Sequence, residues 1–250
     1  MSRPLVIAHR GASGHRPEHT LAAYELGARM GADYIEPDLV PTRDGHLVAR
    51  HENEISVTTD VAERPEFADR HSGRTINGRE RHGWFTEDFT LAELRTLRPG
   101  ILTFEEVLEI ARRHGTGVYP ETKHPAYFRA IGLPLEDAML AALARFPDVP
   151  AFIQSFEAGN LQALRERTDA PLVQLMREPA DFTAIAAYAD AVGPNKRLVD
   201  AGFVAAAHAA GLGVHPYTLG ADAAEYTRFR DLGVDGVFSN FPDVALAAFS

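Results

Sequence analysis

Short apolar runs rich in β-branched residues alternate along this chain with segments whose apolar positions recur at helical spacing. The runs predict strands at Leu5–Ala8, Tyr34–Leu39, Gly117–Glu121, Ala151–Gln154, Leu172–Leu175, Ala189–Val192, Gly213–Pro216 and Gly236–Phe238. The helical segments are Thr20–Met30, Phe104–His114, Leu135–Phe146, Ala158–Arg167, Phe182–Tyr188, Ala201–Ala210, Ala223–Leu232 and Asp243–Phe249. Gly31, Gly115, Gly211 and Gly233 stand where helices end, as a left-handed C-terminal cap requires. Thr103 with Glu106 three residues on has the form of a capping box opening the helix at Phe104.

Strand and helix interleave strictly, which implies right-handed βαβ units and a parallel sheet. Eight such units in 250 residues point to an α/β fold of the (β/α)8 TIM-barrel type. The competing architecture is an open doubly wound sheet, which usually carries a glycine-rich phosphate loop after its first strand. Here that turn reads His9-Arg10-Gly11-Ala12-Ser13-Gly14 and matches neither the dinucleotide nor the Walker pattern. Residues 52 to about 100 break the alternation. They are polar, contain Trp84, and are too long for a simple loop. They read as a small insertion after strand two, preceded by a short extra strand at Leu47–Arg50 and holding a short helix from Thr90. No linker divides the chain, so residues 1–250 read as one domain.

Composition narrows the function. The formal charge is −10, from 25 Lys and Arg against 35 Asp and Glu. That balance argues against a partner that is nucleic acid or an anionic membrane, since phosphate backbones select for basic residues. An anionic substrate must instead be gathered by a few local cations. The chain has no cysteine, hence no disulfide, thiol nucleophile or cysteine-held metal. No apolar stretch approaches the ~18 residues of a membrane span, and no basic-then-apolar leader precedes Leu5-Val6-Ile7-Ala8. The expected location is cytoplasmic if this is the whole gene product, and periplasmic or secreted if a leader has been removed.

Barrel enzymes build their sites at the C-terminal ends of the strands. Strand one ends in His9-Arg10, strand two carries Glu36 and Asp38 two apart on one face, the extra strand runs into His51-Glu52, and strand three ends in Glu121 and Lys123. Glu36, Asp38 and Glu121 would converge at the barrel mouth, where mutual repulsion calls for a cation among them. An all-oxygen donor set favours Mg²⁺ or Ca²⁺; a salt-bridge network with Arg10 and Lys123 would serve the same charges. His9 and His51 flank the cluster and suit a general acid and a general base. Arg10 and Lys123 suit a phosphate oxyanion. Gln154-Ser155, His215 and Ser239-Asn240 end other strands, and Phe156 is a candidate pocket residue. Trp84, Phe85 and Phe89 could wall a pocket for a cationic head group, or simply form the core of the insertion.

These residues, in this order, resemble the glycerophosphodiester phosphodiesterase family. The matching stretches are His9-Arg10-Gly11-Ala12, Pro17-Glu18-His19-Thr20, Glu36-Pro37-Asp38-Leu39, Thr42-Arg43-Asp44-Gly45, His51-Glu52, Pro120-Glu121-Thr122-Lys123 and Ile153-Gln154-Ser155-Phe156. Val214-His215-Pro216-Tyr217-Thr218 and Gly236-Val237-Phe238-Ser239-Asn240-Phe241-Pro242-Asp243 continue them to the C-terminus. The resemblance implies a TIM barrel with an insertion over its mouth. It implies one divalent cation, Ca²⁺ or Mg²⁺, on Glu36, Asp38 and Glu121, with His9 and His51 as acid and base and Arg10 and Lys123 on the phosphate. It implies hydrolysis of small-molecule glycerophosphodiesters, deacylated phospholipids, to glycerol 3-phosphate and an alcohol. A phospholipase D-like enzyme of the sphingomyelinase type shares this constellation and is the alternative. His19, Glu52 and Asn240 depart from the family's usual Asn, Asp and Asp. The oligomeric state, the head group and the assignment of acid and base to each histidine stay open.

Overall fold

A computed structural model of the chain, describing residues 3–250, contains thirteen strands. They are β1 (Leu5–His9), β2 (Tyr34–Glu36), β3 (Asp38–Pro41), β4 (Leu47–Ala49), β5 (Ser72–Ile76), β6 (Arg79–Gly83), β7 (Gly117–Val118), β8 (Glu121–Thr122), β9 (Ile153–Ser155), β10 (Leu172–Met176), β11 (Ala191–Pro194), β12 (Gly213–Val214) and β13 (Gly236–Ser239). Where the pattern predicts single strands over 34–39 and 117–121, each is split. Pro37 and Pro120 fall at the breaks and have no amide proton to donate. Pairing nonetheless continues across them, because Tyr119 N–H reaches Ile35 O at 3.0 Å and Glu121 N–H reaches Pro37 O at 2.9 Å.

The strands form a closed ring. β1 lies parallel to β13 and β2; β2 pairs with β7 and β3 with β8; β8 to β12 follow in order, all parallel. The seam between β12 and β13 is joined by Asp235 N–H to Val214 O at 3.0 Å, Phe238 N–H to Pro216 O at 3.0 Å and Leu219 N–H to Phe238 O at 2.8 Å. This is the expected (β/α)8 TIM barrel.

Both faces of the ring are covered, so its strands are buried almost throughout. Alternation along β1 sends Val6 and Ala8 outward, into the layer shared with the helices, and Ile7 inward with Tyr119, Val173, Ala191 and Phe238. The surrounding helices are α1 (Leu21–Arg29), α2 (Leu91–Leu94), α3 (Phe104–His114), α4 (Pro125–Ala130), α5 (Glu136–Ala144), α6 (Ala158–Arg165), α7 (Phe182–Ala186), α8 (Ala201–Ala209), α9 (Ala223–Leu232) and α10 (Pro242–Phe249). The Thr103–Glu106 capping box is present, and α3 ends on Gly115 at φ +67°. Phe104, Val107, Leu108 and Ala111 of α3 face the core at one-turn intervals.

The stretch after β4 does not form a core of its own. Its Ile55, Val61, Phe67, Phe89 and Leu94 belong to the same apolar cluster as the barrel helices. Phe85 and Phe89 are fully buried and Trp84 Nε1 donates to Phe67 O at 2.6 Å, so these aromatics are packing residues and wall no head-group pocket. The antiparallel hairpin β5–β6 turns through Asn77 and Gly78, at φ +49° and +74°. That Asn-Gly pair is the strongest short hairpin signal a sequence carries; the polar stretch around it hides the strands because both faces are largely solvated. α4 is likewise unanticipated from the sequence.

Candidate active site

The chain turns sharply after β1. Arg10 sits at φ +56° and Gly11 at φ +81°, and a Cβ on Gly11 would lie 2.5 Å from the backbone of Ala23. The turn aims Arg10 N–H at Glu36 Oε2 (2.9 Å) and swings the guanidinium between two carboxylates. Nε lies 3.1 Å from Asp38 Oδ2, and a terminal nitrogen lies 2.7 Å from Glu18 Oε2. The strand registers His9 opposite Glu36 and Asp38 opposite Glu121 put three acidic residues on adjacent strand ends. One oxygen from each of Glu36, Asp38 and Glu121 lies within 4.8 Å of the others.

All three carboxylates are nearly sealed from solvent. Burial works against ionisation of Asp38, but Lys123, the hydrogen bond from His19 and Arg10 outweigh it and hold Asp38 well below the ordinary carboxylate range. Burial, with repulsion from Asp38, pushes Glu36 well above that range, and burial pushes Glu121 up to about 8 despite Lys123. Lys123 Nζ stands 2.8 Å from Glu121 and 3.5 Å from Asp38, and Gln154 Nε2 donates to Glu36 Oε1 at 3.0 Å. The salt-bridge network is therefore real. Arg10 and Lys123 do not suffice to hold all three acids ionised together, as the raised Glu36 and Glu121 show, and Asp38 Oδ1 is buried without a hydrogen-bond partner. An all-oxygen group with an orphaned carboxylate oxygen fits a hard divalent cation, and these three residues could hold one.

His9, Arg10, Glu36, His51, Glu121 and Lys123 line one cavity of about 350 Å³, walled further by Gln154, Phe156, Leu175, Arg177, Tyr217 and Phe238. Asp38 is not part of that lining but contacts Arg10 and Lys123, which are. All seven residues singled out in the sequence are thus brought together. His9 Nδ1 is 2.7 Å from Asn240 Oδ1, which also accepts from the Ser13 hydroxyl at 3.0 Å. With the amide oxygen as its partner, Nδ1 carries the proton and Nε2 keeps its lone pair. Burial, reinforced by Arg10, lowers His9 to about 3; burial lowers His51 to about 4. His51 Nδ1 is 3.6 Å from Glu52 Oε1, and Glu52 is held in turn by His124 Nε2 (3.1 Å) and Arg81 (3.2 Å).

Several supporting residues received no role from the pattern of strand ends. His19, fully buried at φ +57°, bridges Tyr24 OH (2.6 Å) and Asp38 Oδ2 (3.0 Å), but it comes from a loop that no periodicity marks. Glu18 is similar. Gln154 and Asn240 do end strands, and that position is the signal that could have given them roles. His215 also ends a strand, yet it is sealed in the barrel interior with Nδ1 2.7 Å from Tyr119 OH and lines no part of the cavity.

Residues 9–244 match the model of the glycerophosphoryl diester phosphodiesterase family. A glycerophosphodiester phosphodiesterase of Arabidopsis thaliana is 32% identical over 96% of this chain and 84% of its own length. One of Bacillus subtilis (strain 168) is 32% identical over 97% of this chain and 85% of its own length. Among solved structures, an Oleispira antarctica phosphodiesterase in complex with the product sn-glycerol-3-phosphate superposes with a TM-score of 0.82 at 24% identity, covering 98% of this chain and 96% of that one. A putative glycerophosphoryl diester phosphodiesterase from Agrobacterium tumefaciens gives 0.78 at 25% identity, covering 99% and 96%.

Proposed function

The chain belongs to the glycerophosphoryl diester phosphodiesterase family and is a hydrolase of glycerophosphodiesters, and from that premise we propose how its own residues cleave them. The substrate is a deacylated phospholipid, and the products are glycerol 3-phosphate and the head-group alcohol. The observation that carries this reading is the single cavity shared by His9, His51, Arg10, Lys123 and two of the three clustered acids. The Oleispira antarctica phosphodiesterase holds sn-glycerol-3-phosphate as its product, which supports the same product here.

Glu36, Asp38 and Glu121 would hold a divalent cation, Ca²⁺ or Mg²⁺. Such an ion polarises a phosphoryl oxygen and lowers the pKa of a bound hydroxyl. Arg10 and Lys123 bind the phosphodiester anion and oppose the negative charge that builds on its oxygens as the reaction proceeds. Each is already fixed by carboxylates, so neither has to reorganise. His9 is neutral in the free site, and Asn240 holds its proton on Nδ1. Its Nε2 therefore takes the proton of the attacking hydroxyl, whether water or the substrate's own glycerol hydroxyl. His51 is also neutral in the free site, where Lys123 and Arg10 add to the burial that depresses it. A bound phosphodiester anion offsets those two charges and lets His51 carry the proton it delivers to the departing alcohol oxygen. With water as nucleophile one P–O bond forms and one breaks, His9 gaining a proton and His51 giving one up. With the glycerol hydroxyl the same exchange leaves a cyclic phosphate, which water opens by forming and breaking one further P–O bond with the proton flow reversed, to give glycerol 3-phosphate.

The test is release of glycerol 3-phosphate from glycerophosphocholine and glycerophosphoethanolamine, after chelation and after return of Ca²⁺ or Mg²⁺. Chelation is expected to abolish release and the metal to restore it. Thermal unfolding of the chelated protein should move upward on adding the same ion, by about 3 kcal/mol of stabilisation at a hundredfold excess over the dissociation constant. Undiminished release after exhaustive chelation would refute the cation reading while leaving the diesterase reading intact.

A further inference from the structure

Arg177 directly follows β10 and stands on the rim of the site. Its guanidinium lies 3.7 Å from the centroid of the Phe156 ring, which in turn packs edge-on against Tyr217. Among the described residues it makes no ion pair and no side-chain hydrogen bond. It lines the catalytic cavity and also an adjoining one of about 280 Å³, which opens between the barrel mouth and the β5–β6 hairpin. Stacking on an aromatic ring holds the guanidinium flat and in place, and leaves its N–H edge free to grip an oxyanion in two-pronged fashion.

The other charges around the adjoining cavity are mostly engaged. Arg81 is paired with Glu52, Lys123 with Glu121, and His124 with Glu52. Glu157 accepts a hydrogen bond from Ala126 N–H at 3.0 Å and is the one carboxylate there without a cationic partner. Arg79, which opens β6 on the hairpin side, is exposed and, like Arg177, unpaired among the described residues. Two free guanidiniums therefore share this space with one free acid. The Phe156 face, which would otherwise suit a choline-like cation, is covered by Arg177.

We propose that the adjoining cavity receives the alcohol portion of the substrate and selects alcohols bearing an anionic group, a phosphate monoester or a carboxylate, through Arg177 assisted by Arg79. This rests on the diesterase reading and adds to it a substrate class. Matched substrates test it: kcat/KM for glycerophosphoinositol 4-phosphate against glycerophosphoinositol, followed as glycerol phosphate release by the metal-supplemented wild type, R177Q, R177K and R79Q. The wild type is expected to favour the phosphorylated substrate by about tenfold or more, the range of a charge-assisted hydrogen bond. R177Q should bring the ratio close to one, R177K should keep part of it, R79Q should narrow it by less, and added salt should narrow the wild-type ratio. Equal wild-type rates on both substrates overturn the subsite alone. An R177Q variant that slows both substrates by one common factor also overturns it, since Arg177 would then serve the phosphate the two share. No glycerol phosphate from either substrate while glycerophosphocholine is cleaved overturns the subsite alone; no release from any of the three overturns the diesterase reading and the subsite with it.

Discussion

His9 shows how much one neighbour decides. In the proposed mechanism its reactive nitrogen is chosen by a neutral amide, Asn240, 2.7 Å away on the strand end that closes the barrel. Replacing His9 or His51 by Asn should lower kcat on glycerophosphocholine by about 10²–10⁴ with the circular dichroism spectrum unchanged, the usual weight of positioned acid–base transfer. Asn240→Leu keeps the branched shape, though it is larger, and removes the acceptor. We expect kcat to fall about 10–100-fold with KM within about twofold, as for other groups that orient a reacting imidazole; a change confined to KM would contradict the orienting role. At this scale the sequence was readable wherever a polar residue ends an apolar run, as His9, Glu36, Glu121 and Lys123 do. For His19 the resemblance marked the position but not its partner, because the contact with Asp38 depends on a left-handed turn 19 residues upstream that leaves no periodic trace.

At the scale of elements, the pattern was most informative where propensity, capping and burial agree. α3 has its predicted bounds because Thr103 caps its start, Gly115 its end, and its apolar stripe meets the core between them. Thr103→Ala removes the acceptor for Glu106 N–H and the hydroxyl that donates to Glu106 Oε2, while the backbone N–H of residue 103 still donates to that carboxylate. It should cost about 1 kcal/mol in urea unfolding, with the slope of the transition unchanged. The divided strands were missed because proline interrupts a strand without ending its pairing: carbonyls still accept across Pro37 and Pro120. The β5–β6 hairpin was missed for a different reason. Its residues alternate in exposure without alternating in hydrophobicity, Arg, Glu and His filling both faces. Only the turn betrays it.

The whole molecule sets a net charge of −10 against a mouth where arginine and lysine gather. The barrel was legible from the count and order of elements, but not what fills it. Its interior is an aromatic layer in which Tyr119 stacks on Phe152 with ring centroids 4.9 Å apart, and His215 meets both. Burial lowers His215 to about 4 from an ordinary 6.5, so the folded protein keeps this ring neutral where the unfolded chain would protonate it. The folded state binds fewer protons between those values, so its contribution to stability is complete above pH 6.5 and is lost as pH falls toward 4, by about 3 kcal/mol. Urea unfolding at pH 7 and pH 4.5 should show this loss, and His215→Gln should flatten it; an equal acid dependence in both proteins would assign the loss to other groups.

The Asn77 side chain at the hairpin tip hydrogen-bonds His124, His124 binds Glu52, and Glu52 faces His51. His51, the proposed acid, is wired in this way to a solvent-facing ribbon and so is adjustable from outside. Changing Asn77 alone, with Arg79 kept, would on the proposed mechanism retune turnover without altering a group that meets the substrate.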